Sequence, residues 1–401
     1  MIALPMSLLV LASVTHAQQW VVLPEIEVGA QYIDNPRLRE NGPVEDITGG
    51  LLDVGVAFHR NTEASSLLLR PSAAIYRYSG DSDEDSEAYF FDVNGEKLGQ
   101  RSTWFFKGNY RQQQVFRGET TSSQVDDVGI DDSVQTGTGR TFERRQRDMW
   151  RLGPGFTFEF TERTALKVEL NYLDVKYDVQ EVDEAIDYTN GRADISIVRT
   201  LSEGTILEFG VFGSIYEPDA VSRDTESIGA RLRYEKDVSD ISTFFVDLGA
   251  QDSELQSSVS PGSDLSETSF LWNVGYRRRL ELTQWTFDVG QSVTPSGSGA
   301  MVERDLYRAI MQHQFKPRWS LELAGVVMNT NALSRDDLVT ANRNERDYLR
   351  GSAALAWQMT PNWTIESLYM YTHQDFADIE GDAQEHEVRL SLVYRPPVPT
   401  Q

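Results

Sequence analysis

Cysteine is absent from the 401-residue sequence. That excludes disulfides, thiolate metal sites and a lipid-modified N-terminal cysteine, and it suits an oxidising compartment. Long apolar runs are missing as well. Past residue 20 nothing approaches the run of about 18 apolar residues that a membrane-crossing helix needs, so a helical membrane protein is excluded. Positive charge is scarce: 37 Lys and Arg stand against 62 Asp and Glu, a formal net charge of −25. No nucleic-acid partner is expected, because phosphate binding needs a basic surface.

Catalytic and cofactor-binding signatures are lacking too. There is no Gly-x-Ser-x-Gly, no His-Glu-x-x-His and no phosphate loop, so neither an enzyme nor a bound cofactor is expected. The five histidines (His16, His59, His313, His373 and His386) are scattered. His373 beside Asp375 is the nearest approach to a catalytic pair, and it reads as polarity at a loop edge. Asp126-Asp127 and Asp131-Asp132 offer hard oxygen ligands, but no 12-residue calcium loop with its closing Glu surrounds them. The expectation there is a solvated loop bridged by cations to lipopolysaccharide, with no defined metal site.

What is present begins with Ile2 to Val14, an apolar run of signal-peptide length. Thr15-His16-Ala17 follows, so residues 1–17 read as a cleaved export signal ahead of one domain, 18–401. No Lys or Arg precedes the apolar run, which leaves the true start open. Aromatics make up 10% of the chain and are spread along it, which argues against disorder.

From residue 24 onward the sequence alternates apolar and polar residues at period 2, the mark of a strand with two different faces. Examples are 52-LDVGVAF-58, 104-WFFKGNY-110, 166-LKVELNY-172 and 207-LEFGVFGSI-215. Short turns alternate with long acidic connections. The short ones are 61–63, 94–97, 161–164, 202–204, 237–240, 282–284, 316–318 and 360–362. The long ones include 80–87, 117–140, 180–187, 252–267 and 331–345. Outer-membrane barrels have this asymmetry, with short turns in the periplasm and long loops outside. Eight hairpins plus a leading strand (Glu25–Ile33) and a closing strand (Glu387–Arg395) predict 18 strands, with 16 as the alternative.

The two faces differ in the inverted sense. One carries Trp, Phe, Tyr and Leu, the other Arg, Glu, Asn, Gly and Ser, and lipid is the solvent that rewards aromatic residues outside. Trp285, Trp319 and Trp363, each just after a short turn, are expected to form an aromatic girdle. On the other face, strands leaving short turns place acids toward the lumen: Glu169, Glu208, Asp247, Asp288, Glu322 and Glu366. Strands returning from long loops place arginines there: Arg147, Arg151, Arg192, Arg231, Arg233, Arg277, Arg279, Arg304, Arg308, Arg350 and Arg389. Opposite signs on neighbouring strands, roughly 4.5–5.5 Å apart, read either as cross-strand ion pairs that stiffen the wall or as groups that attract anionic solute. A barrel this wide leaves an aqueous bore unless a loop plugs it, and 117–140 is the expected plug.

The opening strand 26-IEVGAQYIDNPRL-38, with its Tyr-x-Asp-Asn, the arm 162-ERTALKVELNYLDVKY-177 and the closing 388-VRLSLVY-394 resemble a family of outer-membrane β-barrel porins associated with capsule and exopolysaccharide export. The resemblance implies an 18-stranded barrel acting as the outer-membrane conduit for a secreted polysaccharide, alongside a periplasmic export protein. On that reading Tyr76, Tyr78 and Phe105 would contact the glycan. Two alternatives stay open: a diffusion porin for small solutes, and a structural barrel that presents acidic loops. The end 387-EVRLSLVYRP-396 resembles the C-terminal signal read by the outer-membrane insertion machinery, although residues 395–401 follow its aromatic.

Overall fold

The computed structural model describes residues 20–38, 46–79, 85–114, 145–178, 186–219, 223–257, 265–297, 299–333, 345–377 and 381–397. The export signal at 1–17, the acidic pairs at 126–132 and the expected plug at 117–140 lie outside the described residues. Eighteen strands follow one another: β1 (Trp20–Ile33), β2 (Ile47–Thr62), β3 (Ser65–Ser79), β4 (Ser86–Leu98), β5 (Ser102–Gln114) and β6 (Gln146–Thr161). Next come β7 (Thr164–Tyr177), β8 (Tyr188–Ser202), β9 (Thr205–Pro218), β10 (Arg223–Ser239), β11 (Ser242–Ser257) and β12 (Leu265–Arg279). The last six are β13 (Thr283–Pro295), β14 (Met301–Lys316), β15 (Trp319–Ala332), β16 (Arg346–Thr360), β17 (Trp363–Phe376) and β18 (Asp382–Tyr394). Each pairs antiparallel with the next, and β1 pairs with β18 from Ile26 opposite Tyr394 to Ile33 opposite Glu387. The sheet therefore closes on itself, and every strand has two neighbours.

The alternation of the sequence becomes two surfaces of opposite chemistry. The outer wall exposes Ile228 (70%), Trp104, Phe270, Leu390 and Phe209, among many other large apolar side chains. Buried polar and charged groups such as Gln31, Arg147, Gln251, Arg304 and Thr372 take the opposite pleat. In water this would be costly on both counts; against acyl chains the exposed apolar wall costs nothing. This is a barrel of the outer membrane. Around the short-turn end Trp319 stacks on Trp357 with ring centroids 5.6 Å apart, Trp285 stacks on Phe287 at 5.8 Å, and Trp363 meets Tyr394 at 5.0 Å.

Three sequence expectations change. Asn94-Gly95-Glu96-Lys97 is not a turn: it is the end of β4, with Gly95 opposite Leu67 on one side and Phe106 on the other. The chain reverses at 99–101 instead, where the Gly99 N–H donates to the Ser102 carbonyl at 2.6 Å. A strand entering at Ser86 needs those extra residues to complete its crossing. The acidic stretch 252–267 is only partly a loop, because β11 reaches Ser257 and β12 starts at Leu265. Its carboxylates serve the strands: Asp252 accepts from the Ser266 and Thr268 hydroxyls, each at 3.1 Å. The end strands also have different bounds, with β1 starting at Trp20 and β18 at Asp382.

Curvature is set by rings laid over glycines on the lumen side. A Cβ on Gly275 would sit 2.1 Å from the Phe245 ring, and Phe105 covers Gly155 at the same distance. Phe212 lies over Gly229, where a Cβ would stand 2.3 Å away. Each joint lets one strand approach its neighbour's aromatic closely, which bends the sheet and pins the register.

Candidate functional site

The residues predicted to face the bore share the pleat opposite the exposed aromatics, and the register lines them up in rows. One row runs Glu208, Arg233, Asp247, Asn273 across β9 to β12. Another runs Asp288, Arg308, Val326, Arg350, Thr372 across β13 to β17. Arg147 and Arg151 stand opposite Gln113 and Asn109, Arg279 opposite Gln284, Glu366 opposite Ser391, and Arg389 opposite Gln31.

The ion pairs do not follow the cross-strand rule alone. Asp288 and Arg308 obey it, in a two-pronged pair with N–O distances of 2.7 and 2.9 Å. Arg192 instead grips Asp194 two residues along its own strand at 2.8 and 3.0 Å. Arg233 bonds Glu235 at 2.8 Å and Arg389 bonds Glu387 at 2.6 Å in the same along-strand manner. On one pleat, residues i and i+2 are about as close as diagonal cross-strand neighbours, so a guanidinium reaches either. Arg231 is a hub: its Nη2 lies 3.5 Å from Glu208, 3.7 Å from Asp194 and 3.9 Å from Glu169. Glu322 accepts from Gln312 at 2.9 Å, and Glu366 lies 3.6 Å from Arg395. Phe245 is enclosed between the guanidiniums of Arg233 and Arg277, at 4.9 and 5.4 Å from its ring centroid. His373 lies 3.5 Å from Asp382 and on the outer pleat.

The feature that shapes the bore is the β13–β14 hairpin. Pairing between β12 and β13 stops at Trp272 opposite Gln291, although β12 begins at Leu265. Pairing between β13 and β14 continues to Pro295 opposite Met301. Here β13 parts from β12, while β14 stays paired with β15 up to Val302 opposite Ala332. The hairpin's tip is bonded to strands on the far side of β10, β11 and β12: the Ile186 N–H donates to the Gly297 carbonyl at 2.8 Å, and the Tyr216 hydroxyl donates to the Ser296 carbonyl at 2.8 Å. A ring of strands admits such contacts only if the tip cuts across the lumen.

Apolar packing fixes the crossing. Met301 and Leu333 join Met149, Leu173, Val175, Tyr177, Tyr188 and Tyr216 in one buried cluster. Behind the crossing, inward-facing Ser253, Gln251 and Ser269 are sealed from water. They bond one another and the hairpin: Gln251 to Ser253 at 3.0 Å, and the Ser269 hydroxyl to Glu303 at 2.7 Å. The tip turns tightly, with Gly299 at φ +82° and the Ser296 N–H donating to the Ala300 carbonyl at 3.0 Å. Positive φ at Gly299 costs nothing, whereas a side chain there would be strained. Arg304 on β14 and Arg147 on β6 are both buried on the lumen pleat.

Sequence reading missed this hairpin tip and its anchors Ile186 and Tyr216. The signal was 295-PSGSG-299, a Pro/Gly/Ser turn indistinguishable in composition from one that stays outside. Tyr78, expected to touch solute, instead bonds Gln31 on β1, and Tyr76 is buried among Ile33, Leu51 and Ala74.

No protein-family model matches the sequence, and no curated protein does. Among solved structures the chain is similar to Pseudomonas aeruginosa OccK2 (OpdF), with a TM-score of 0.48 and 8% identity over 93% of this chain and 98% of that one. It is similar to the Pseudomonas aeruginosa outer membrane protein OpdK, with a TM-score of 0.47, 9% identity and coverage of 94% and 98%. The Acinetobacter baumannii outer membrane channel DcaP gives a TM-score of 0.45 at 13% identity, with coverage of 94% and 97%. A likeness this distant says nothing about solute or partner. The capsule and exopolysaccharide association expected from residues 26–38, 162–177 and 388–394 has no counterpart in these comparisons.

Proposed function

We propose that the barrel is a passive diffusion channel for small solutes, narrowed by the inward tip of β13 and β14. The hydrogen bonds from Ile186 and Tyr216 to the hairpin tip carry this reading. Eighteen strands enclose a bore too wide for side chains to fill, and a hairpin across it restricts passage to small molecules. Pairs such as Asp288–Arg308 neutralise charge on the wall, so the narrowing selects by size. A conduit for polysaccharide, the first expectation from the sequence, has no observation in the described lumen to favour it, and a spanned bore opposes threading of a polymer.

Purified protein in planar bilayers is the test. Steady conductance without a partner is expected. Deletion of 296–300 raises the conductance. A silent barrel overturns the reading, and so does loss of surface polysaccharide on deletion of the gene with unchanged solute uptake.

A further inference from the structure

The outer wall is not uniformly ridged. Across β4 to β7 two adjacent rows of outward side chains run Lys97, Trp104, Phe156, Val168 and Gly95, Phe106, Pro154. In the second row Gly95 has no side chain, and Pro154 has no N–H to give its neighbour. The β6–β7 ladder accordingly skips from Leu152 opposite Tyr172 to Gly155 opposite Glu169. Trp104 leans onto Phe156, with ring centroids 4.3 Å apart. Phe106 leans the other way, its ring 3.2 Å from where a Cβ on Gly108 would stand. Between them a groove of about 560 Å³ opens, lined almost wholly by carbon.

The groove has a charged foot. Lys97 lies at its short-turn end, exposed and without an ion pair among the described residues, and Arg101 follows in the adjoining turn. Glu96, at the lip, belongs by register to the lumen pleat opposite Phe105. Short turns lie at the periplasmic side, so this foot meets the phosphate level of the inner leaflet. A cation at that depth with an apolar slot running up from it matches a molecule with an anionic head and a long hydrocarbon tail.

We infer that this groove holds one phospholipid of the inner leaflet, its acyl chain between Trp104 and Phe106 and its phosphate on Lys97 and Arg101. The site is separate from the bore. Gly95 is the discriminating position: a Cβ there meets nothing nearer than the Leu67 methyl at 3.6 Å, so a larger side chain fits the fold and fills the slot.

The test is native mass spectrometry of protein taken from outer membranes in mild detergent, then exchanged into nanodiscs of phosphatidylethanolamine and phosphatidylglycerol. The wild type is expected to retain one phospholipid mass per barrel. Lys97→Glu with Arg101→Glu should lower occupancy at least tenfold, and Gly95→Leu should abolish it. Heat-modifiable electrophoretic mobility and unchanged conductance verify that both variants are folded. A wild type that retains no phospholipid, retention of lipopolysaccharide in its place, or wild-type retention in folded Gly95→Leu overturns the assignment.

Discussion

Arg308 and Asp288 are a useful place to weigh single charges. Their side chains keep only 13% and 6% of their exposure, and two short hydrogen bonds join them. Asp288→Asn removes the negative partner and leaves Arg308 facing the bore. In water one unit charge at about 4 Å is worth about 1 kcal/mol, so the anion-to-cation permeability ratio should rise several-fold. Reversal potentials in a salt gradient measure it, and an unchanged ratio would mean that this pair is remote from the ion path. Gly275→Ala tests a different kind of residue. The new methyl would collide with Phe245, which is 1% exposed and flanked by two arginines, so stability should fall by about 1–3 kcal/mol, read from urea-dependent unfolding in micelles. Which residues share a pleat was legible in the period-2 pattern. Which carboxylate each arginine takes was not: Arg233 has Glu208 and Asp247 across the sheet yet bonds Glu235 along its own strand.

For whole strands, sequence and membrane thickness act together. Outward positions of β9 alternate as Leu207, Phe209, Val211, Gly213 and Ile215, and Val211 lies near the middle of the crossing. Val211→Arg should cost about 2–4 kcal/mol in folding titrations into lipid vesicles, whereas Ser214→Arg on the lumen pleat should cost far less. Strand identity was legible wherever the alternation was clean. It failed at Asn94-Gly95, where a dipeptide that ordinarily marks a hairpin is carried through a strand by pairing on both sides. The hairpin tip at 296–300 tests elements beyond the wall. Tyr216→Phe removes one hydrogen bond, worth about 0.5–1.5 kcal/mol, so the detached population of the tip should grow by up to about tenfold and appear as added current fluctuations. A recording as quiet as that of the wild type would mean that apolar packing alone holds the tip.

Across the whole molecule, the strand number and closure were legible because connection length alternates along the chain, and each short turn adds a hairpin. The crossing hairpin was not, because it depends on residues 80 positions apart, Tyr216 and Ser296, meeting only after the ring has formed. The expected plug at 117–140 lies outside the described residues; among those described, the narrowing rests on the tip of β13 and β14. The inner faces of β10 to β12 are covered near the outer rim, and residues of β6 to β9 pack in the same cluster as Met301.

A hoop made of one thin sheet is easily squeezed into an oval by lateral pressure from surrounding lipid. The hairpin that ties β13 and β14 to β8 and β9 acts as a strut inside that hoop, resisting flattening along one diameter. Tension in the surrounding bilayer is therefore expected to alter the cross-section near the outer rim less than it would in a barrel lacking that tie.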